Sequence, residues 1–234
     1  MMKTYLITGA GRGIGRATAV ALAGPKAQLI LTSRTLKELE ETDDMVRAKG
    51  GQALLIQHDL RNFPGIQEMA RSLGQRFTEG LDGLVLNGGT LGRLQSVEDM
   101  DPVHFGEVME TNLIANFIFL KAFASMLRKA GGHVMALTTG AVPNPRAYWG
   151  AYAASKAGLE SLTLAFDREV GEAVRVNLFD PGRVRTDMRA TAYPGEDRMS
   201  VRAAEEVGQV IADLLTDPEL GSGQRFHAND YPSA

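Results

Sequence analysis

Short apolar runs and longer amphipathic stretches alternate along the chain. Residues 3–8, with Thr-Tyr-Leu-Ile at their heart, read as a strand buried on both faces. Glycines follow, then residues 16–23, rich in helix formers, with Ile14, Ala17, Ala21 and Leu22 on one stripe. The alternation then repeats. A strand at 28–32 leads to a charged helix at 35–49 that stops at Gly50-Gly51. A strand at 53–57 leads to a helix at 62–78 with Asn62 as its cap, and residues 84–86 make a fourth strand. Residues 102–129 form the longest helical stretch. Its stripe of Phe105, Val108, Met109, Leu113, Phe117, Leu120 and Phe123 is assigned to the core or to a subunit interface. Asn112 interrupts that stripe; it either caps a local kink or does chemistry, and taken alone a structural role is favoured. A strand at 133–137, a helix at 149–171, a strand at 174–178, a helix at 203–215 and a short strand at 224–227 complete the pattern. Strands alternating with helices of this length predict an α/β protein with a doubly wound parallel sheet. Ligands of such sheets bind beyond the carboxyl ends of the strands, where Gly9, Arg34, Asp59 and Asn87 fall.

Composition narrows the function classes. The 234 residues contain no linker, repeat or low-complexity tract, so a single domain over 1–234 is expected. A net charge of −3 gives no general pull toward nucleic acid or a membrane surface. With no Cys, disulfides, thiolate nucleophiles and cysteine zinc sites are excluded. The four His are scattered without metal-ligand spacing, so no metal is expected. The residues ahead of the first glycines are too few for a signal peptide, and no apolar run reaches the length of a membrane span. A soluble cytoplasmic protein is the expectation.

Three stretches carry candidate chemistry. Thr8-Gly9-Ala10-Gly11-Arg12-Gly13-Ile14-Gly15 lies between a strand and a helix, with glycines at 9, 13 and 15 in a T-G-x-x-x-G-x-G spacing. Glycines let backbone amides approach a pyrophosphate, and the helix N-terminus favours its charge. At the end of the second strand, no acidic residue occurs between Gln28 and Leu36; the first is Glu38, inside the helix. A carboxylate there would hold the ribose hydroxyls of NAD. Arg34 instead offers a planar fork suited to a 2′-phosphate, with Arg12 and Ser33 able to assist, so NADP is expected over NAD. Finally, Tyr152 and Lys156 are four apart on a helix and therefore share a face. An ammonium beside a tyrosine favours the tyrosinate and lowers its pKa toward neutrality, fitting it to exchange a proton with a carbonyl or alcohol oxygen.

These motifs, together with Asp59, Asn87-Gly88-Gly89, Asn112, Thr139 and Pro181-Gly182-Arg183-Val184-Arg185-Thr186, fall in the order found in the short-chain dehydrogenase/reductase family, which the whole chain resembles. The stretches 146–150 and 188–194 resemble a little-characterised bacterial oxidoreductase subgroup. The resemblance implies a Rossmann-type sheet of about seven parallel strands with helices on both faces. It also implies hydride transfer between a nicotinamide and a carbonyl or secondary alcohol. It makes Tyr152 the acid/base. Lys156 tunes it and holds the nicotinamide ribose, Thr139 orients the substrate oxygen, and Asn112 supports a water relay behind Lys156. It assigns the cofactor to Thr8, Gly9, Gly11, Arg12, Gly13, Ile14, Gly15, Ser33, Arg34, Asp59, Leu60, Asn87, Gly88, Gly89, Pro181, Gly182, Val184 and Thr186, besides Tyr152 and Lys156, with Asp59 at the adenine and Thr186 at the carboxamide. Two positions depart from the family pattern. Thr139 replaces a serine thirteen residues before the tyrosine and keeps its hydroxyl. Leu86 replaces an asparagine, which removes a polar group from the sheet end. Residues 187–200 stand where the family has a lid, and their mixed charges read as a solvated loop more readily than as an anion site. A homo-oligomer, tetramer or dimer, is expected from the family and from Phe117, Leu159, Leu162 and Phe166. Two alternatives remain: a 3-oxoacyl carrier-protein reductase with Arg128, Lys129, Arg168 and Arg175 receiving the acidic carrier, and a non-catalytic NADP-binding sensor.

Overall fold

The structure is a computed structural model and describes residues 2–231. Seven strands, β1 (Lys3–Thr8), β2 (Ala27–Ser33), β3 (Gln52–Gln57), β4 (Gly83–Leu86), β5 (His133–Leu137), β6 (Arg175–Asp180) and β7 (Arg225–His227), form one sheet. Their spatial order is β3-β2-β1-β4-β5-β6-β7 and every pairing is parallel. The chain winds outward from β1 to β3, then returns to lay β4 on the other side of β1, which places the switch point between β1 and β4.

Alternate strand residues feed two separate cores, because successive side chains leave a strand on opposite faces. Ile7, Leu29, Leu31, Val85, Met135 and Phe179 pack with helices α1 (Gly13–Leu22), α2 (Leu36–Ala48) and α8 (Ala204–Thr216). Leu6, Ile30, Leu84, Leu86, Val134 and Leu178 pack with α3 (Phe63–Arg76), α5 (Ala115–Ala130) and α6 (Gly150–Val170). Both faces being covered, the strands read as continuous apolar runs rather than as alternations. Leu86 is fully buried in the second core. Where the resemblance expected a polar group, Leu86 therefore contributes apolar packing to the sheet end.

Three elements differ from expectation. The long helix is not continuous: α4 (Pro102–Met109) passes into α5 through a five-residue π-helical turn, Glu110–Ile114. Asn112 sits buried in that turn, and the Asn116 side-chain amide donates to its carbonyl at 2.7 Å. A hydrogen bond supplied by a side chain lets the wider turn form without stranding a buried acceptor. β6 runs two residues further than expected and carries Asp180 into the sheet. The polar lid segment contains a short helix, α7 (Asp187–Ala192), and a 3₁₀ turn at Arg198–Ser200.

The apolar surface named for oligomerisation is also reduced. Leu159 and Phe166 are buried in this chain's own core and Leu162 is partly so. Phe117 stays 44% exposed, with Ile114 and Leu164 as exposed apolar company on α5, the π turn and α6. Among the described residues, no helix is long and apolar enough to cross a membrane, and no cluster of His, Asp and Glu could hold a metal.

Candidate active site

Two groups of residues line the carboxyl edge of the sheet around the switch point. The first is the glycine loop between β1 and α1. Gly9 and Gly13 have φ of +66° and +55°, which side-chain-bearing residues adopt only with strain. A Cβ at Gly15 would lie 2.3 Å from the Gly9 carbonyl oxygen and 2.5 Å from Asn87 Nδ2, so only glycine lets α1 start there. Arg12 holds the N-cap position of α1 but makes no side-chain cap bond, and the first turn has no acidic residue. The first-turn amides are left for an anion, as a pyrophosphate requires. Ile14 rests against the first core.

The residues expected around this loop divide into those that build it and those that face its opening. Thr8 and Asn87 build it. The Thr8 hydroxyl accepts from the amides of Asn87 (3.1 Å) and Gly88 (2.9 Å), and Asn87 Nδ2 donates to the carbonyls of Thr8 (2.9 Å) and Gly9 (3.1 Å). They clamp β1 to the end of β4 across the switch point. Leu60 packs against Gly88, where a Cβ would come within 2.8 Å of it. Asp59 accepts from the Arg61 amide at 2.9 Å and shapes the turn into α3, which Asn62 caps as expected. Arg34 is exposed at the end of β2 with no carboxylate partner among the described residues. Ser33 Oγ is tied to Thr35.

Glu38 overturns one part of the expectation. Although it lies inside α2, its side chain folds back onto the loop: a Cβ at Gly11 would lie 2.8 Å from Ser33 Oγ and 3.1 Å from Glu38 Oε2. Arg12, expected to be free, is 4.0 Å from the Glu38 carboxylate and 3.5 Å from that of Asp187 on α7. Sequence distance hid this carboxylate: one turn of helix brings residue 38 beside the strand end.

The second group surrounds Tyr152. Thr139, the loop residue just past β5, has its side chain beside the Tyr152 hydroxyl. Lys156, one turn along α6, is almost fully buried, and its Nζ donates to the Leu137 carbonyl at 2.7 Å. Burial pushes the Tyr152 hydroxyl up to about 12; the Thr139 side chain opposes the rise and the Asp180 carboxylate adds to it. Burial likewise brings Lys156 down to about 8, with Glu160 opposing. The lowering of Tyr152 by Lys156 expected from their spacing is absent, because desolvation outweighs it and the ammonium is directed at a backbone oxygen.

Asn112 is committed to protein groups. Its Oδ1 accepts from the Thr90 amide (2.7 Å), and its Nδ2 donates to the Thr90 carbonyl (2.8 Å) and to Ser155 Oγ (3.0 Å). It fastens the loop after β4 to α6. Gly89 lies in the gap, where a Cβ would be 3.0 Å from Asn112 Oδ1 and 3.8 Å from Lys156 Nζ.

Sequence reading missed the ionic network behind Tyr152. Arg225 on β7 donates to both Glu160 oxygens at 2.6 Å, to the Thr139 carbonyl at 3.1 Å and to Asp180 at 3.5 Å. Glu160 also accepts from the Thr138 hydroxyl. Tyr152, Lys156 and Glu160 follow at i, i+4 and i+8, the one signal that could have exposed it.

The lid covers this group. Gly182, with φ +66°, donates to Asp180, and Val184 is buried; Pro181 precedes them. The Thr186 hydroxyl caps α7 through the Arg189 amide at 3.2 Å, and its methyl lies 3.3 Å from where a Gly13 Cβ would be. Trp149 packs edge-on against Tyr152, with centroids 5.7 Å apart, and Tyr193 of the lid packs on Trp149 at 5.9 Å. Arg189 pairs with Glu196 through two 2.6 Å bonds and stacks on Tyr193. Arg189 and Arg198 of the lid pair with Glu196 and Asp187, the first pair mostly buried and the second exposed. Arg128 and Lys129 end α5, which leads into the amino end of β5, and Arg175 begins β6. A carrier bound there would face the sheet edge opposite Tyr152.

The sequence model of the short chain dehydrogenases matches residues 3–197. The chain is 30% identical to an uncharacterized oxidoreductase, YciK, of Escherichia coli K12, over 97% of this chain and 91% of that one. It is 31% identical to the 3-oxoacyl-[acyl-carrier-protein] reductase FabG of the same organism, over 97% and 96%. A proposed short chain dehydrogenase from Escherichia coli CFT073, solved with NADPH, superposes with a TM-score of 0.89 at 30% identity, covering 97% of this chain and 96% of that one.

Proposed function

The chain belongs to the short chain dehydrogenase family, and on that premise we propose that it is an NADP(H)-dependent oxidoreductase acting on a carbonyl or secondary alcohol, with Tyr152 as acid/base. The observation that carries this reading is the Thr139–Tyr152–Lys156 group set across the switch point from an uncapped, glycine-built helix start. The loop and first-turn amides of α1 would hold the pyrophosphate of a dinucleotide, and Tyr152, Lys156 and Thr139 would serve its nicotinamide end. When bound, the nicotinamide supplies or accepts the hydride.

The chain's own residues handle the proton. Burial keeps Tyr152 protonated through neutral pH, which suits it to donate to a carbonyl oxygen in the direction of reduction. Thr139 is placed to hydrogen-bond the same oxygen. Lys156, with its pKa brought down to about 8, stays mostly protonated at pH 7 and is the cation one helical turn from the tyrosinate left behind. The Arg225–Glu160 pair holds the Thr139 backbone while this charge moves. Trp149 packs beside Tyr152, and Tyr193 of the lid packs on Trp149.

NADP is supported by unpaired Arg34 and by the NADPH complex of the Escherichia coli CFT073 protein. Phe117, Ile114 and Leu164 suit a second copy packed against α5 and α6, and light scattering showing a monomer would refute that pairing. The test of function is NADPH oxidation against aldehydes, ketones, quinones and acyl-thioesters. Turnover with any carbonyl supports the reading; tight NADPH binding with none turned over by protein that retains its fold favours a sensor.

A further inference from the structure

We propose that Glu38 limits the preference of this chain for NADP(H) by opposing the 2′-phosphate, a proposal that rests on the NADP reading above. In a doubly wound nucleotide-binding domain, the adenosine 2′ position is bounded by the glycine loop and the end of the second strand. Here that corner is made by Gly11 and Arg12 on one side and Ser33 and Arg34 on the other. The Glu38 carboxylate reaches into it from α2, against Gly11 beside Ser33, with Oε1 4.0 Å from Arg12 Nη1. It is about two-thirds buried, so its charge is less screened than that of an ordinary helix carboxylate.

Three consequences follow from this placement. Glu38 shares Arg12, the loop cation nearest the corner, with Asp187. It sets a carboxylate beside the incoming dianion, and like charges at such range repel. It also offers acceptors to ribose hydroxyls, so it does not oppose NAD(H) in the same way. Arg34, outside this pairing, keeps NADP(H) binding possible. Discrimination is then the difference between one free arginine and one carboxylate, and neutralising the carboxylate sharpens it.

The experiment is calorimetric titration of NADPH, NADH, 2′,5′-ADP and 5′-AMP into wild type, Glu38→Gln and Glu38→Ala. Circular dichroism checks that both variants keep their fold. Among the described residues, hydrogen bonds run to the Glu38 backbone carbonyl and not to its side chain, so substitution removes no structural tie of that kind. Each variant is expected to bind NADPH and 2′,5′-ADP about tenfold more tightly, with NADH and 5′-AMP within about twofold of wild type or weaker. Wild type that binds both dinucleotides, with folded variants that change neither or tighten both alike, overturns the role of Glu38 and leaves the cofactor reading standing. Wild type that binds neither dinucleotide overturns the cofactor reading and this proposal with it.

Discussion

The two halves of the cleft are built in opposite ways. The glycine-loop end is made of backbone and of charges: glycines that admit close approach, unpaired helix-start amides, exposed Arg12 and Arg34, and the partly buried Glu38. The tyrosine end is made of buried side chains whose ionisation is displaced, Tyr152 upward and Lys156 downward. An open, charged half suits binding and discrimination. A buried half suits proton transfer, since a low-dielectric environment strengthens each interaction and fixes each group. Changes at one end should therefore move affinity, and changes at the other should move rate.

Besides Tyr152 itself, the largest separation is expected at Thr139. Thr139→Ala should lower turnover by about a hundredfold, the effect of removing one positioned donor, with NADPH affinity unchanged. Thr139→Ser keeps the hydroxyl and should stay within about threefold of wild type. Steady-state rates beside titrations check this, and equal losses in both variants would make Thr139 a packing residue.

Lys156 tests the buried half without substrate. Its pKa is about 8 when folded and about 10.5 when exposed. Below pH 8 it is protonated in both states. Between 8 and 10.5 the unfolded chain binds more protons, so the stability of wild type rises with pH across that window, falls back as pH drops from 10.5 to 8, and is unaffected by this group below 8. Lys156→Met lacks this gain. Melting curves from pH 7 to 10 should show wild type gaining on the variant by up to about 3 kcal/mol, and parallel curves would contradict the buried ammonium.

Gly15→Ala attacks the other half. Its methyl would meet the Gly9 carbonyl at 2.3 Å. Overpacking of this kind costs about 1–3 kcal/mol, read as a lower melting temperature together with weakened NADPH binding. Arg34→Ala is the mildest change. It should weaken NADPH about tenfold, about 1.4 kcal/mol, and leave NADH and the turnover rate at saturation unchanged.

The same division explains what could be read from sequence. The sheet, its two-faced burial and the glycine loop were legible because they depend on residues close in sequence and on periods of two and 3.6. Tyr152 and Lys156 were legible as a pair, but the direction of the tyrosine shift was not, since desolvation is set by Trp149 and the packed sheet edge. Asn112 was ambiguous because the π turn and its tie to Thr90 involve a loop 22 residues away. Glu38 was discounted for lying in a helix, and Arg225 was not considered, because each acts across elements that only the folded chain brings together.

Tyr152→Phe tests the division most directly. It keeps the ring against Trp149 and removes only the hydroxyl that carries the proton. Single-turnover oxidation of NADPH, at saturating cofactor and with a carbonyl that wild type reduces, is measured beside NADPH affinity. A fall in rate of about a hundredfold or more, with affinity within about twofold of wild type, is the expected result. A variant that keeps more than about a tenth of the wild-type rate, a loss far below that of a missing acid/base, would contradict the assignment of Tyr152.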